Sequence, residues 1–215
     1  MRFKESYDPS SPLQVIKPPK GSHLIRVFSI TNRKTLEMYY RTQLAEWARL
    51  EFDNQLIEFD AVNKIFCWEG KALFVAFRIS YLYGDCFAYI DQPSQPSLIK
   101  AFESYCSTIG SVCKPLGNEI LAASKVEIWN RLKMLSIISR WKDQITSENL
   151  KKFVAALDGY PAYSLSEIEK IDAFAGGRGQ AYAFEMVRIG KFRIDSLNSE
   201  MITNGVLIKL ISKGV

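Results

Sequence analysis

The sequence predicts an α/β protein in two parts, a mixed-sheet domain followed by a mainly helical one, and three observations carry that expectation. Short β-rich segments separated by turn chemistry run from Leu24 to Ile90, broken once by a helical stripe that begins at Arg41. From Lys125 onward the apolar period becomes that of amphipathic helices. With 215 residues, 47% apolar and 13% aromatic, the chain has material for one large core or two small ones.

Residues 1–20, with Ser10, Ser11, Pro12, Pro18 and Pro19, fit an extended arm. Leu24 to Ile30 reads as a strand, Thr31 to Arg33 as a turn, and Lys34 to Tyr40 as a second strand. Leu44, Trp47, Ala48 and Leu50 then share a helical stripe, with Thr42 as N-cap and an end near Asp53 and Asn54. A meander follows: LIEFDA, NKIFCW, a turn at Glu69 to Lys71, ALFVAFRISYLY, a turn at Gly84 and Asp85, and CFAYI. Ser97 to Cys113 reads as a helix and Asn118 to Ala122 as one more strand.

Beyond the boundary expected between Leu116 and Lys125, helices are expected at Ile128 to Lys142 and Asn149 to Leu157. A third begins at the capping box Ser164 to Glu167. Gly176 to Gly179 breaks the chain, Gln180 to Ile189 resumes a helix, and KFRIDSL with ITNGVLIKL reads as a β-hairpin. Helix, glycine-rich turn, helix and hairpin is the order of a winged helix-turn-helix. The expected domains are therefore 21–120 and 121–215.

Composition excludes several classes of function. No apolar run approaches the roughly 18 residues that cross a bilayer. Met1 to Lys20 lacks an apolar signal-peptide core, so a soluble, cytoplasmic protein without membrane contact is expected. Cys67, Cys86, Cys106 and Cys113 make no CxxC pair and read as reduced thiols. The single histidine, His23, rules out a histidine-rich zinc site. Of the net charge of +5, +4 lies from Ser124 onward. Trp47, Phe52, Phe59, Phe66, Trp68, Phe74, Phe77 and Phe87 fall on alternating or helical positions and are expected in the core. Arg41, Arg49 and Arg78 are equally compatible with a nucleic-acid cleft and with surface ion pairs. Arg178 and Gln180 open the second helix of the helix-turn-helix, and Arg188, Lys191 and Arg193 lie at its end and in the wing, where they could meet DNA. Winged helices also mediate protein contacts, and Glu185 in mid-helix weighs against DNA.

The stretches NRKTLEMYYRTQLAEWARLEFDNQLIEF and WEGKALFVAFRISYLYGDCFAYIDQP resemble the N-terminal domain of the TnsA family, endonuclease subunits of heteromeric transposases. The order from Ile128 to the end is similar to that family's winged-helix region, so the resemblance covers roughly residues 20 to 210. It implies a restriction-endonuclease-like PD-(D/E)XK domain, DNA as ligand, and a DDE transposase and an AAA+ ATPase regulator as partners. The positions matching the family's catalytic set depart from it. Gln43 stands at the helical Glu, Ala76 at the metal-binding Asp, and Ile90 and Gln92 at the Glu/Gln and Lys of the next strand. Amides and a methyl group neither hold a hard cation nor activate water, so the expectation is the scaffold without cleavage and without a cofactor. Two alternatives stay open. Glu46 with Asp85 or Asp91 could rebuild a shifted Mg²⁺ site for an active endonuclease, or both domains could serve as a protein-interaction regulatory module.

Overall fold

The computed structural model describes residues 12–15, 23–118, 122, 124–157 and 161–211. It is a mixed α/β structure whose elements, in chain order, are β1 (Leu13–Val15), β2 (Ile25–Ser29), β3 (Lys34–Met38), α1 (Arg41–Leu50), β4 (Leu56–Trp68), β5 (Lys71–Tyr81), β6 (Gly84–Ile90), α2 (Pro96–Thr108) and β7 (Val112–Leu116). There follow α3 (Lys125–Trp141), α4 (Ser147–Ala156), β8 (Ala162–Ser164), α5 (Leu165–Glu169), α6 (Arg178–Arg188), β9 (Phe192–Arg193) and β10 (Leu207–Leu210). The described chain falls into two compact units. One holds the residues before Phe28, Lys34–Leu44 and Gln55–Gly117; the other holds Phe28–Arg33, Ala45–Asn54 and the residues from Asn118 on.

The first unit is built on a five-stranded sheet of order β1-β4-β5-β6-β7. Strands β1, β4, β5 and β6 pair antiparallel in succession, and β7 joins β6 in parallel after the crossover through α2. The two segments LIEFDA and NKIFCW form one strand, because a register shift between Ala61 and Lys64 absorbs the break and Asn63 takes a φ of 46° there. Glu69 and Gly70, at φ 48° and 73°, make the expected tight turn. Phe66, Leu73, Val75, Phe87 and Tyr89 pack with Leu98, Phe102 and Cys106 of α2. Trp68 is the exception among the aromatics expected inside, since it is 47% exposed.

Three expectations need correction. Thr42 lies within the first turn of α1 and is not its cap. Helix α2 ends at Thr108 because Gly110 takes φ 70° and Ser111 N–H turns back to Cys106 O, at 2.8 Å. The chain from Val112 is then a strand, which the helix expected through Cys113 had hidden. Asn118 and Ala122 are helical, and residues 119–121 of the strand expected there lie outside the described residues. Of the expected N-terminal arm, Leu13–Val15 form β1, paired to Lys64–Phe66, and 1–11 and 16–20 lie outside the described residues.

In the second unit the sequence signals map closely onto structure. Thr146 Oγ1 accepts from Asn149 N–H to start α4, and Ser164 with Glu167 forms the complete capping box of α5. α5 is short, ending at Glu169, with a 3₁₀ turn at Asp172–Phe174. Met134, Ile138, Phe153, Leu165, Ile168, Tyr182 and Phe184 form the core with Phe192 and Ile208. Phe153 is fully buried, with the rings of Phe174 and Tyr182 edge-on at 5.3 and 5.7 Å, so its truncation would cost about 3–5 kcal/mol. Strands β8, β10 and β9 make a three-stranded sheet in that order, antiparallel throughout, so the expected hairpin gains a third strand. Its long connection is held by the fully buried Asn130, whose amide donates to Leu197 O and Glu200 O and accepts from Ile202 N–H.

Candidate functional site

The positions that the family resemblance marks for catalysis sit on α1, β5 and the end of β6. Gln43 is the third residue of α1 and has no solvent exposure. Its Oε1 accepts from Tyr39 N–H and Tyr40 N–H at 2.8 and 3.1 Å, and its Nε2 donates to Asn63 Oδ1 at 2.8 Å. Asn63 in turn donates to Glu37 O at 2.8 Å. A side chain at the third helical position reaching back to the backbone N–H before the helix is half of a capping box, so Gln43 has a structural task of its own. Every polar atom of its amide that a buried site must satisfy is engaged.

Ala76 is fully buried on β5, between the pairs Val75–Tyr89 and Phe77–Ala88. Its strand neighbours Val75 and Phe77 and Ala88 of the adjacent strand are fully buried as well, so the position where a carboxylate would hold a cation carries a methyl group in a buried stretch of sheet. Ile90 closes β6 beside Leu116 of β7. Gln92, just beyond, donates from Nε2 to Ala72 O at 3.4 Å and accepts from Gln95 Nε2 at 2.9 Å.

Of the fallback carboxylates, Glu46 is buried on α1, Asp85 is the second residue of β6 and Asp91 follows that strand; among the described residues no three His, Cys, Asp or Glu side chains form a metal-ligand group. Asp85 is bound by Arg78 at 2.6 Å and by the Ser80 hydroxyl at 2.8 Å. Burial works to raise its carboxyl, but those hydrogen bonds and the Arg78 charge outweigh it and hold the group below the usual carboxylate range. Arg78 is thereby an ion-pair residue, and Arg49 likewise lies 4.0 Å from Glu127.

In the second unit, α6 packs against α3, α4, α5 and β9, and seven of its eleven residues are buried. Gly179 shows how closely: a Cβ there would lie 2.6 Å from Ile168 Cγ2 and 3.1 Å from Phe174 O. The turn before the helix uses Gly177 at φ 87°. Glu169 of α5 accepts from Gly177 N–H at 2.8 Å and Gln180 N–H at 3.1 Å, and its charge sits at the positive end of α6. Arg178 stacks over the Trp141 ring at 5.5 Å and donates to Ala173 O at 3.3 Å. The Gln180 side chain reaches Asn204 Oδ1 at 3.5 Å.

Arg188 is turned inward. Its Nε and Nη2 donate to the two oxygens of Glu185 at 2.7 and 2.8 Å, and Nη1 reaches Thr31 Oγ1 at 3.1 Å and Glu51 O at 3.4 Å. The side chains of Arg188 and Glu185 are 15% and 8% exposed. Burial opposes the Arg188 charge, but Glu185, with Glu51 adding, holds the guanidinium above its ordinary value. Glu51 also accepts from Trp47 Nε1 and from Thr31 N–H and hydroxyl. Lys191 and Arg193 remain at the surface; Arg193 pairs with Asp195 at 3.1 Å, which takes Lys209 Nζ at 2.6 Å as well. The Lys209 hydrogen bond, with Arg193 adding, keeps Asp195 below its ordinary value.

Sequence reasoning missed Asn63, Glu169 and the Glu185–Arg188 pair. Signals for each exist: an Asn breaking a strand run, an acid eight residues before the glycine turn, and opposite charges at i and i+3. No protein-family model matches the chain, and no curated protein shows significant similarity to it. Among the described residues no helix is long and apolar enough to cross a membrane.

Proposed function

We propose that the protein is a TnsA-like DNA-binding and assembly subunit of a DNA transposition system that does not cleave DNA itself. The observation that carries this reading is the set Gln43, Ala76 and Gln92. Gln43 falls on α1, Ala76 on β5 and Gln92 just beyond the end of β6, the order that the resemblance calls for, and none bears a carboxylate or an ammonium group. Gln43 is engaged in capping α1, and Ala76 is a fully buried methyl group. A restriction-endonuclease-like scaffold thus serves binding, with the DDE transposase and AAA+ regulator of such systems as partners. Supporting the winged helix-turn-helix reading of the second unit are the order α5, glycine turn, α6, β9, β10 and the sheet order β8-β10-β9.

Incubation of the full chain with supercoiled plasmid and Mg²⁺ or Mn²⁺ should give no nicking. Fluorescence anisotropy with duplex DNA should give salt-sensitive binding, weakened by Lys191→Ala with Arg193→Ala, with the salt slope smaller by about two. Nicking that Glu46→Gln or Asp91→Asn abolishes would establish the shifted Mg²⁺ site instead.

A second reading, a protein-interaction module, is favoured by two observations. The helix that would enter the major groove has few exposed side chains, and Leu82 and Tyr83 at the β5–β6 turn are 86% and 74% exposed. Absence of DNA binding at low salt, with binding to the transposase partner, would select it.

A further inference from the structure

Two thiols of the first unit share one apolar cluster at the junction of α2 and β7. Cys106, in the last turn of α2, is 1% exposed and belongs to the hydrophobic core, while Cys113, the second residue of β7, is half-buried and packs on that core. The short connection between them is drawn tight by the hydrogen bonds of Ile109 and Ser111 N–H to Cys106 O. Cys113 stands beside Phe87 in the parallel ladder, which sets it on the strand next to the α2 face. Cys67 lies on β4, outside this pair, and Cys86 of β6 stands beside Val112.

We propose that Cys106 and Cys113 form a peroxide-reactive dithiol, with Cys113 as the attacked thiol and Cys106 as the resolving one, which closes to an intramolecular disulfide. The division of roles follows from exposure and from the bond between the two groups. Cys113 is the one that solvent reaches, and a hydrogen bond from Cys106 lowers its thiol below the ordinary value although burial and Glu103 oppose the shift. Cys106 is buried, and the hydrogen bond with Cys113 together with burial pushes its thiol up, which leaves it the resolving group. The Cys113 thiolate attacks an oxygen of a hydroperoxide, the O–O bond breaks, and the leaving alkoxide takes a proton to become an alcohol. Cys106 sulfur then attacks the sulfenic acid on Cys113, loses its proton and expels hydroxide, which leaves as water. The two thiols lose two electrons and two protons, and the peroxide receives them. The new bond would tie the C-terminus of α2 to edge strand β7, on the far side of the sheet order from β1.

Hydrogen peroxide added to the folded full-length protein, followed by alkylation and peptide mass mapping, tests this. The expected product is lighter by two hydrogen atoms and carries a Cys106–Cys113 cross-link that dithiothreitol removes. Cys106→Ser should stop the reaction at a Cys113 sulfenic acid that dimedone traps, whereas Cys67→Ser should leave the cross-link intact. Before oxidation, iodoacetamide should label Cys113 at least about tenfold faster than Cys106 in the native wild-type chain, a measurement that needs no variant to fold. Peroxide treatment of the native chain that yields no 106–113 link, or that links either residue to Cys67, overturns the proposal; so does faster labelling of Cys106.

Discussion

Replacing Glu185 by alanine leaves the Arg188 guanidinium in a place built for an ion pair, with its side chain only 15% exposed. The variant removes two charge-assisted hydrogen bonds, of 2.7 and 2.8 Å, each worth about 1.5–3 kcal/mol. Arg188 keeps Thr31 Oγ1 and Glu51 O as partners, so the loss should fall near the lower end of the cost of breaking a buried pair, about 3 kcal/mol. That corresponds to a fall of about 10 °C in the midpoint of thermal unfolding, read by circular dichroism. The double replacement Glu185→Met with Arg188→Met removes both charges and keeps the volume. It should recover part of the loss, because neither member of the pair is left alone, while buried Glu51 loses the Arg188 charge and keeps its hydrogen bonds from Trp47 and Thr31. A single variant that loses less than about 1 kcal/mol, or a double variant as unstable as the single, refutes the reasoning, since the pair would then be an ordinary surface contact.

Three further outcomes are expected. Gln43→Glu keeps the acceptor for Tyr39 and Tyr40 N–H but sets a carboxylate against Asn63 Oδ1, so it should cost about 1–3 kcal/mol by denaturant titration and restore no nuclease activity; unchanged stability would count against the capping role. Gly179→Ala gains about 1 kcal/mol of helix propensity but must displace Phe174 O from 3.1 Å, so overpacking of about 1–3 kcal/mol should leave a net destabilisation, and a stabilised variant would refute the close α5–α6 approach. Because the Asp85 carboxyl is held below its unfolded value, its contribution is present at neutral pH and is lost as pH falls through the folded value, below about 4. The difference in melting temperature between wild type and Asp85→Asn, small for a surface pair, should therefore vanish in acid, and a difference that grows there would refute the assignment.

The elements most legible in the sequence were those whose signals are local. The Ser164–Glu167 box, the Glu69–Gly70 turn and the Gly176–Gly179 break are each fixed by side chains or φ preferences within four residues, and each appears where expected. What was hidden depends on contacts distant in sequence. The end of α2 is set by a backbone bond closing onto Cys106 together with a single glycine, and β7 is a strand because β6 supplies its ladder. The role of Gln43 required Asn63, twenty residues away, to be seen as its partner. Read against a family pattern, Gln43 is a lost acid; read by its position in the helix, it is a cap, and only the three-dimensional neighbourhood joins the two statements.

Helix α6 makes the same point in the opposite sense, because its own composition carried the answer. From Ala181 to Met186 the run AYAFEM offers one charged side chain, and a helix apolar on nearly every side is one that packs on nearly every side. The order of elements around it favoured a groove-reading helix, whereas a helix that reads bases needs a solvent-facing polar stripe. Glu185, the one charge in the run, is neutralised within the chain by Arg188, and the positive end of the helix is already occupied by Glu169. On the proposed DNA-binding reading, the segment around β9 and β10, where Lys191, Arg193 and Lys209 outnumber Asp195, is a better candidate for contact than α6. Contacts of that kind are made to phosphates, so binding through this unit should be salt-sensitive and weakly sequence-selective.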